Sequence, residues 1–206
     1  MADRRQDETN TAHNEAMKRQ QAEHRAKMRE KKQTERGLLM INTGDGKGKS
    51  TAGFGTVIRA LGWGHKVGIV QFVKGAWKTG EKEFFTRYPN LVDMYVMGDG
   101  FTWDTQDRAQ DIASAEKAWA QSRTMMESGV YDFILLDELN IVLRYDYLDV
   151  AEVLAGLEAR SDRTSVMVTG RNAPEALVVV ADMVSEIKAV RHPFENGIKA
   201  KQGIDY

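Results

Sequence analysis

A glycine-rich loop between an apolar segment and a helical one constrains this chain more than any other feature of its sequence. The loop reads TGDGKGKST over residues 43–51, follows the apolar run GLLMINT, and precedes STAGFGTVIRALGWG, which has the spacing of a helix. A strand, a glycine-rich loop and a helix in this order direct backbone N–H groups and the positive end of the helix towards a bound anion. The sequence therefore predicts a phosphate-binding loop.

The loop departs from the standard phosphate-binding motif G-x-x-x-x-G-K-[ST] at its first position. That motif would place a glycine where this chain has Thr43, and the nearest glycine is Gly44. The end of the motif is intact, so we expect Lys49 to reach the phosphates and the Ser50 hydroxyl to contact Mg2+. The predicted nucleotide-binding loop consists of Gly44, Asp45, Gly46, Lys47, Gly48, Lys49, Ser50 and Thr51.

Segments of strand length alternate with segments of helical spacing along the rest of the chain. Further strands are predicted in KVGIVQFV, NLVDMYVM, YDFILLDE, TSVMVTG and VSEIKAVRH, with helices in most of the intervals between them. Apolar strands that alternate with helices are typical of a mainly parallel sheet with both faces covered. We therefore predict a three-layer α/β domain over residues 37–206.

The first 36 residues differ from this domain in composition. They are rich in Arg, Lys, Glu and Gln, and their only apolar side chains are those of Ala and Met. Such a segment buries too little surface to order itself, although its lack of Pro and Gly permits a helix. We predict a charged N-terminal arm over residues 1–36 that is disordered or conditionally helical. If it is helical, Met17, Gln21, His24 and Met28 share one face.

Composition excludes several classes of protein. The 206 residues carry a net charge of −1, which does not favour nucleic acid or an anionic membrane as a partner. The chain has no cysteine, and therefore no disulfide, thiolate metal site or cysteine nucleophile. No apolar run approaches the roughly 18 residues of a membrane-spanning helix, and the N-terminus does not resemble a signal peptide. We expect a cytoplasmic protein without nucleic-acid or membrane partners.

Two carboxylates close the apolar strand ILLDE, where phosphate-binding proteins of this type hold Mg2+. In one interpretation, Asp137 contacts the metal and Glu138 activates water, as in an ATPase. In another, Glu138 contacts the metal, directly or through water, and Asp137 supports the loop. A third gives one of these acids the role of a helix N-cap. The sequence leaves these interpretations open.

Two large aromatic side chains, Phe101 and Trp103, lie in the polar, glycine-containing segment GDGFTWDTQDR. Aromatic residues in such a segment are candidates for a platform that holds a flat ligand. The alternative is that they pack beneath the segment and anchor it. Thr105 or Asp104 is expected to cap the long helix that follows.

Three further polar residues are candidates for nucleotide contacts. Gln71 and Arg171 follow apolar strands and are expected near the carboxyl ends of the strands, where open sheets bind ligands. Arg59, late in the first helix of the domain, could reach a nucleotide or be a surface charge. The sequence offers no pairing of a nucleophile with a base, so the nucleophile of a transfer reaction would belong to the substrate.

Taken together, these motifs resemble the ATP:corrinoid adenosyltransferase family. The resemblance covers residues 37–206 and is carried by TGDGKGKST, VQFVKG, GFTWDTQ, LLDELN, TGRNAPE and the ending GIKAKQGIDY. It implies a RecA-like P-loop NTPase fold and transfer of the 5′-deoxyadenosyl group of MgATP to the Co(I) centre of a reduced corrinoid, with release of triphosphate. The bond broken would be C5′–O5′, with ATP reversed in the loop compared with most P-loop enzymes.

The resemblance also implies roles for individual residues. Lys49, with the other loop lysine and the loop amides, would stabilise charge on the departing triphosphate. Ser50 and Glu138 match the family's Mg2+ positions. Phe101 and Trp103 would crowd the lower face of the corrinoid and favour loss of its lower axial ligand, which makes Co(II) easier to reduce.

By the same resemblance, we expect a homodimer, a reduced flavoprotein as electron donor, and an N-terminal helix that folds over the substrate site. Two other functions fit the residues. One is a P-loop ATPase in which Glu138 activates water and ADP and orthophosphate are released. The other is a nucleotide-dependent switch that binds ATP without turnover. Only the adenosyltransferase gives the GFTW segment a role.

Overall fold

The computed structural model describes residues 2–30, 35–73, 79–97 and 107–205. It divides into two compact units, Met1–Glu35 and Arg36–Tyr206, whereas the sequence places the boundary after residue 36. In the first unit, the described residues form helix α1 (Ala2–Glu30). Residues 15–29 of α1 are exposed. The helix agrees with the helix-forming composition of the arm, and its conditional ordering stays a prediction.

The second unit is built on a six-stranded sheet in the order β3-β2-β4-β5-β1-β6. All of its pairings are parallel, as predicted from the apolar strands. The strands are β1 (Leu39–Thr43), β2 (Val67–Gln71), β3 (Val92–Val96), β4 (Phe133–Asp137), β5 (Ser165–Thr169) and β6 (Met183–Glu186). The strand that leads into the glycine-rich loop, β1, is therefore separated from β4 by β5.

Helices cover both faces of this sheet. The helices are α2 (Lys49–Gly62), α3 (Gly80–Phe85), α4 (Arg108–Glu127), α5 (Leu139–Arg144), α6 (Val150–Glu158) and α7 (Glu175–Val180), with a 3-10 helix at Pro193–Asn196. Side chains of β1 alternate between two apolar clusters, with Leu39 and Ile41 in one and Met40 in the other. Helix α2 packs in the cluster of Met40, and α4 and α6 pack in the other. The predicted three-layer α/β arrangement is confirmed.

The start of α4 differs from the sequence-based expectation. Its N-cap is Asp107, whose carboxylate accepts hydrogen bonds from the N–H groups of Ala109 and Gln110 at 3.0 and 3.1 Å. The expectation of Thr105 or Asp104 is wrong, because Asp107 directly precedes the first helical turn and its short side chain reaches these N–H groups. The sequence does not predict α3 or α5, each of six residues.

None of the helices in the described part of the chain is both long and apolar enough to cross a membrane.

The glycine-rich loop packs closely against the chain that follows β6. The N–H of Gly46 donates to the carbonyl of Ile187 at 2.7 Å. A Cβ atom added to Gly44 would lie 2.5 Å from the carbonyl oxygen of Ile187, and one added to Gly46 would lie 2.6 Å from that of Lys188. Gly48 has a φ of 115° with nothing within 4 Å of an added Cβ. The first two glycines therefore make room for protein backbone, whereas Gly48 supplies the left-handed turn into α2.

We expect Gly46→Ala to lower the free energy of unfolding by about 1–3 kcal/mol, because the new methyl group must displace backbone. Gly55→Ala in α2 is the matched control, since nothing lies within 4 Å of its added Cβ. That substitution should raise the free energy of unfolding by about 0.4–1 kcal/mol. Urea denaturation measures both values, and an unchanged stability in Gly46→Ala would contradict the close packing.

An ion pair joins the beginning of the second unit to the residue before β6. The Arg36 guanidinium donates to the Asp182 carboxylate at 2.9 Å, and the Leu39 N–H donates to the same carboxylate at 2.9 Å. Mainly because of its hydrogen bond with Arg36, the pKa of Asp182 is lowered to about 2. A carboxylate with a lowered folded-state pKa stabilises the fold above its unfolded pKa of about 3.9, and loses that contribution as the pH falls through the folded value.

We therefore expect Asp182→Asn to lower the free energy of unfolding at pH 7 by about 0.2–1 kcal/mol, the range for an exposed pair. The asparagine oxygen can still accept from Leu39, so the change removes mainly the charge. The difference between variant and wild type should shrink below pH of about 3.9 and vanish near pH 2. Urea titrations over this range measure it, and a difference that does not change with pH would argue against the ion pair.

Candidate functional site

The carboxyl ends of four neighbouring strands bring most of the described candidate residues to one edge of the sheet. In spatial order, β2 ends at Gln71, β4 at Asp137, β5 at Thr169 and β1 at Thr43. The glycine-rich loop begins directly after β1 at this edge. Open α/β sheets bind their ligands outside the carboxyl ends of their strands, so this edge is the candidate active site.

The N-terminus of α2 is open to an anion. The helix begins at Lys49 after the left-handed Gly48, and among the described residues no side chain caps it by a hydrogen bond. Its first turn holds no acidic residue. The first N–H groups of a helix lack partners inside the helix, and they lie at the positive end of its dipole. The loop and α2 thus provide the donors that a phosphate group accepts from.

Lys49 is buried within this loop and is surrounded by charges. Its side chain is 6% exposed, and its ammonium donates to the carbonyl of Gly46 at 2.6 Å. Burial lowers the pKa of Lys49; the nearby charges of Glu138 and Asp45 raise it, and that of Arg171 lowers it. Two cations and two carboxylates therefore lie within electrostatic reach of one another. A buried ammonium beside a second cation favours binding of an anion between them.

Lys47 forms an ion pair that the sequence does not predict. Its ammonium forms an ion pair with the carboxylate of Asp205, near the C-terminus. The hydrogen bond from Lys47 lowers the pKa of Asp205, and the Lys201 N–H also donates to that carboxylate, at 2.9 Å. The ending GIKAKQGIDY, which carries part of the family resemblance, thus contacts the phosphate-binding loop.

Asp137 is buried in a network of side chains. It is fully inaccessible to solvent, and its two oxygens accept from the Gln71 amide at 2.9 Å and from the Thr169 hydroxyl at 2.8 Å. The Thr169 oxygen in turn accepts from the backbone N–H of Glu138 at 3.0 Å. Gln71 is also buried, so its side chain supports Asp137 at the edge of the sheet. This geometry favours a supporting role for Asp137.

Glu138 occupies a strained backbone position next to this network. Its φ of 65° lies in the left-handed region, which costs a residue with a Cβ about 1–2 kcal/mol. It stands at the N-cap position of α5, but its side chain makes no capping hydrogen bond within the described structure. Its charge raises the pKa of Lys49, so its carboxylate lies within electrostatic reach of the Lys49 ammonium. Of the interpretations left open by the sequence, the geometry favours support by Asp137 and ligand binding by Glu138.

Arg171 is an exposed residue on a loop that is held at both ends. Residues 170–173 join β5 to the segment before α7. The Asn140 side-chain amide donates to the carbonyl of Gly170 at 3.1 Å, and the Ala173 N–H donates to the Thr43 hydroxyl at 3.0 Å. The loop of Arg171 is thus attached to α5, which follows Glu138, and to β1, which precedes the glycine-rich loop.

Other predicted site residues are not brought to this edge by the described structure. Arg59 is exposed in the last turn of α2, about 15 Å along the helix axis from Lys49. Its contact with a nucleotide stays a prediction. Phe101 and Trp103 lie outside the described residues, so their predicted roles also remain predictions.

Comparison with known proteins identifies the family of this chain. The model of the family described as ATP:corrinoid adenosyltransferase BtuR/CobO/CobP matches residues 35–206. A corrinoid adenosyltransferase of a Sinorhizobium species is 45% identical in an alignment 212 residues long, which covers 97% of this chain and 99% of that protein. One from Pseudomonas aeruginosa is 46% identical over 199 residues, covering 97% and 98% of the two chains.

Among solved structures, AMPPCP-bound DnaA from Aquifex aeolicus is similar over 82% of this chain and 49% of that chain, with 14% identity and a TM-score of 0.39. The family match covers the whole second unit, and the two adenosyltransferases align over nearly the full length of this chain. The resemblance carried by the loop, the strand-end carboxylates and the C-terminal segment is confirmed, and the chain belongs to the ATP:corrinoid adenosyltransferase family.

Proposed function

We propose that this protein transfers the 5′-deoxyadenosyl group of ATP to the Co(I) centre of a reduced corrinoid and releases triphosphate. Membership of the adenosyltransferase family supports the reaction. The structural observation that carries it is the meeting of an uncapped helix N-terminus, the buried Lys49 and the Arg171 loop at one edge of the sheet. That arrangement suits a substrate with several linked phosphate groups.

In this reaction the corrinoid supplies the nucleophile. The Co(I) centre donates an electron pair to C5′, a cobalt–carbon bond forms, and the C5′–O5′ bond breaks. The electron pair of that bond leaves with the triphosphate, and no proton is transferred. The protein therefore needs no general base, and its work is to hold C5′ in line and to stabilise the charge on the leaving group.

The described cations at the loop are suited to that stabilisation. Lys49, the N-terminus of α2 and the nearby Arg171 present positive charge from different elements. Lys47 adds a further cation, which Asp205 partly neutralises and holds near the loop. Because these groups are attached to the sheet edge, little reorganisation accompanies the growth of charge on the triphosphate. Asp45 is exposed and negatively charged, so we propose that it contributes through its backbone.

Ser50 and Glu138 fit a Mg2+ ion bound together with ATP. Oxygen donors are the ligands that Mg2+ prefers, and it commonly combines one or two protein ligands with substrate phosphates. Within the described ranges, no three or more His, Cys, Asp or Glu side chains are grouped so that they could hold a metal ion. When bound, the metal would neutralise triphosphate charge. Asp137 would keep the backbone of Glu138 in place.

The two carboxylates can be separated by paired substitutions. We expect Glu138→Gln to weaken binding of Mn2+, used in place of Mg2+, to the ATP complex about tenfold, equivalent to about 1.4 kcal/mol. Its unfolding free energy should remain close to that of wild type. Asp137→Asn should instead lower the unfolding free energy by about 1–3 kcal/mol, because one buried partner is left unsatisfied.

Electron paramagnetic resonance of Mn2+ and urea denaturation measure these two quantities. If Asp137→Asn abolished metal binding while keeping its stability, Asp137 would be the metal ligand. Mn2+ titrations without ATP serve as the control for sites unrelated to the nucleotide.

Phe101 and Trp103 are proposed to act on the corrinoid by favouring loss of its lower axial ligand. We expect Phe101→Ala and Trp103→Ala to lower activity strongly when Co(II) corrinoid must be reduced in the presence of a flavoprotein. The loss should be much smaller when chemically prepared Co(I) corrinoid is supplied. ATP affinity, measured by calorimetry, is the control and should not change. Equal losses in both assays would contradict this role.

Three further parts of the proposal concern partners and location. We propose a homodimer in the cytoplasm that receives electrons from a reduced flavoprotein. Exposed apolar side chains on α7 and β6, including Val179, Val180 and Met183, support an interface between copies. Light scattering of the purified protein would test the dimer.

We also propose that the arm orders over the site when both substrates bind, which limited proteolysis with and without ATP and corrinoid would test.

The first experiment is an anaerobic incubation with MgATP and chemically reduced corrinoid, followed by analysis of the phosphate products and the visible spectrum. Intact triphosphate and a light-sensitive alkylcobalt spectrum would support transfer at C5′. ADP and orthophosphate formed without corrinoid would indicate the rival ATPase. ATP binding without either product would indicate a nucleotide-dependent switch.

A further inference from the structure

We propose that Thr43 is a positioning residue for Arg171. Thr43 stands where the standard phosphate-binding motif has its first glycine, and its hydroxyl fixes the loop 170–173 so that Arg171 meets the triphosphate beside Lys49. The inference rests on the proposed binding of triphosphate at this loop. It gives the departure of this chain from the standard motif a physical role.

The geometry of Thr43 shows what a glycine could not provide. Thr43 is the last residue of β1 and pairs in register with Glu186 of β6, while its carbonyl accepts from the Ile187 N–H at 2.8 Å. The backbone therefore stays extended here, and the left-handed turn falls on Gly44, with a φ of 95°. The Thr43 side-chain oxygen accepts the N–H of Ala173 at 3.0 Å. A glycine at this position would have no atom to accept that hydrogen bond.

The loop that Thr43 holds has a conformation that needs support. Gly170 has a φ of 128° and Asn172 a φ of 55°, so two left-handed residues flank Arg171. For Asn172 this region costs free energy, and such backbones persist when surrounding contacts fix them. The Asn140 side chain donates a hydrogen bond to the carbonyl of Gly170. A Cβ atom added to Gly170 would lie 2.8 Å from the Asn140 side chain. Thr43 holds the other end, so Arg171 projects from a loop attached at both sides.

The charge of Arg171 gives this attachment a consequence for binding. Arg171 is exposed, and its charge acts on the buried ammonium of Lys49. Two cations held close together repel each other, and an anion that bridges them relieves the repulsion. A long flexible side chain contributes more to binding when its backbone is already fixed, because less conformational entropy is lost. The Thr43 hydrogen bond therefore acts on affinity through Arg171.

A double-mutant cycle separates this role from general stability. The variants are Thr43→Val, Arg171→Ala and the two combined, with Thr43→Ser as the matched control that keeps the hydroxyl. Binding of inorganic tripolyphosphate and of MgATP is measured by calorimetry, and folding by urea denaturation. We expect Thr43→Val and Arg171→Ala each to weaken tripolyphosphate binding at least threefold. The combined variant should bind no more weakly than Arg171→Ala alone, and Thr43→Ser should remain within twofold of wild type.

The inference would be overturned if Thr43→Val weakened binding by the same factor with and without Arg171, since its effect would then be structural. It would also be overturned if either single variant bound tripolyphosphate as tightly as wild type. Thr43→Ala, which also removes the hydroxyl but leaves a smaller side chain, replaces Thr43→Val if the latter does not fold. The cycle uses neither corrinoid nor product analysis, so its outcome does not depend on whether the adenosyl group is transferred.

Discussion

The carboxylate of Asp137 holds the candidate site together. It is fully buried, and its oxygens accept hydrogen bonds from Gln71 on β2 and Thr169 on β5. A buried carboxylate that loses a partner is strongly unfavourable, so the ends of the three strands are held in one arrangement. Thr169 also accepts the N–H of Glu138, so the side chain that donates to Asp137 also holds the left-handed backbone of Glu138.

A second constraint comes from the chain after β6. Its backbone runs so close to the glycine-rich loop that Gly44 and Gly46 are needed for space, and only Gly48 is left to turn the chain into α2. In this loop, glycines also make room for neighbouring backbone. The strand position before them keeps a side chain, Thr43, and that side chain is used to hold another loop. The loop that packs against the chain after β6 is therefore also the loop in which Thr43 replaces the first glycine of the standard motif.

Local patterns in the sequence were enough to predict the order of the strands, most of the helices, the parallel sheet and the glycine-rich loop, because each depends on residues close in the chain. The contacts that decide the roles of the site residues instead join residues that are far apart in the chain. Thr43 and Ala173 are 130 positions apart, and Lys47 and Asp205 are 158 positions apart. Asp137 and Glu138 are adjacent and chemically alike, and side chains contributed by β2 and β5 distinguish them, because Gln71 and Thr169 both donate to Asp137. A polar residue at the end of each strand was the available signal for Thr43 and Thr169, but it did not reveal their partners.

The arrangement of charges also suits the proposed reaction, which requires no general base. Breaking the C5′–O5′ bond adds a negative charge to the triphosphate, so the leaving group interacts more strongly with fixed cations than ATP does. Burial of Lys49 is unfavourable for its charged form, as its lowered pKa indicates, and an anion bound beside it would offset this effect. Because Lys49, Arg171 and the N-terminus of α2 are held by the sheet edge, they would stabilise the triphosphate more strongly as the bond breaks. This differential binding is the form of catalysis that a reaction with a ready-made nucleophile requires.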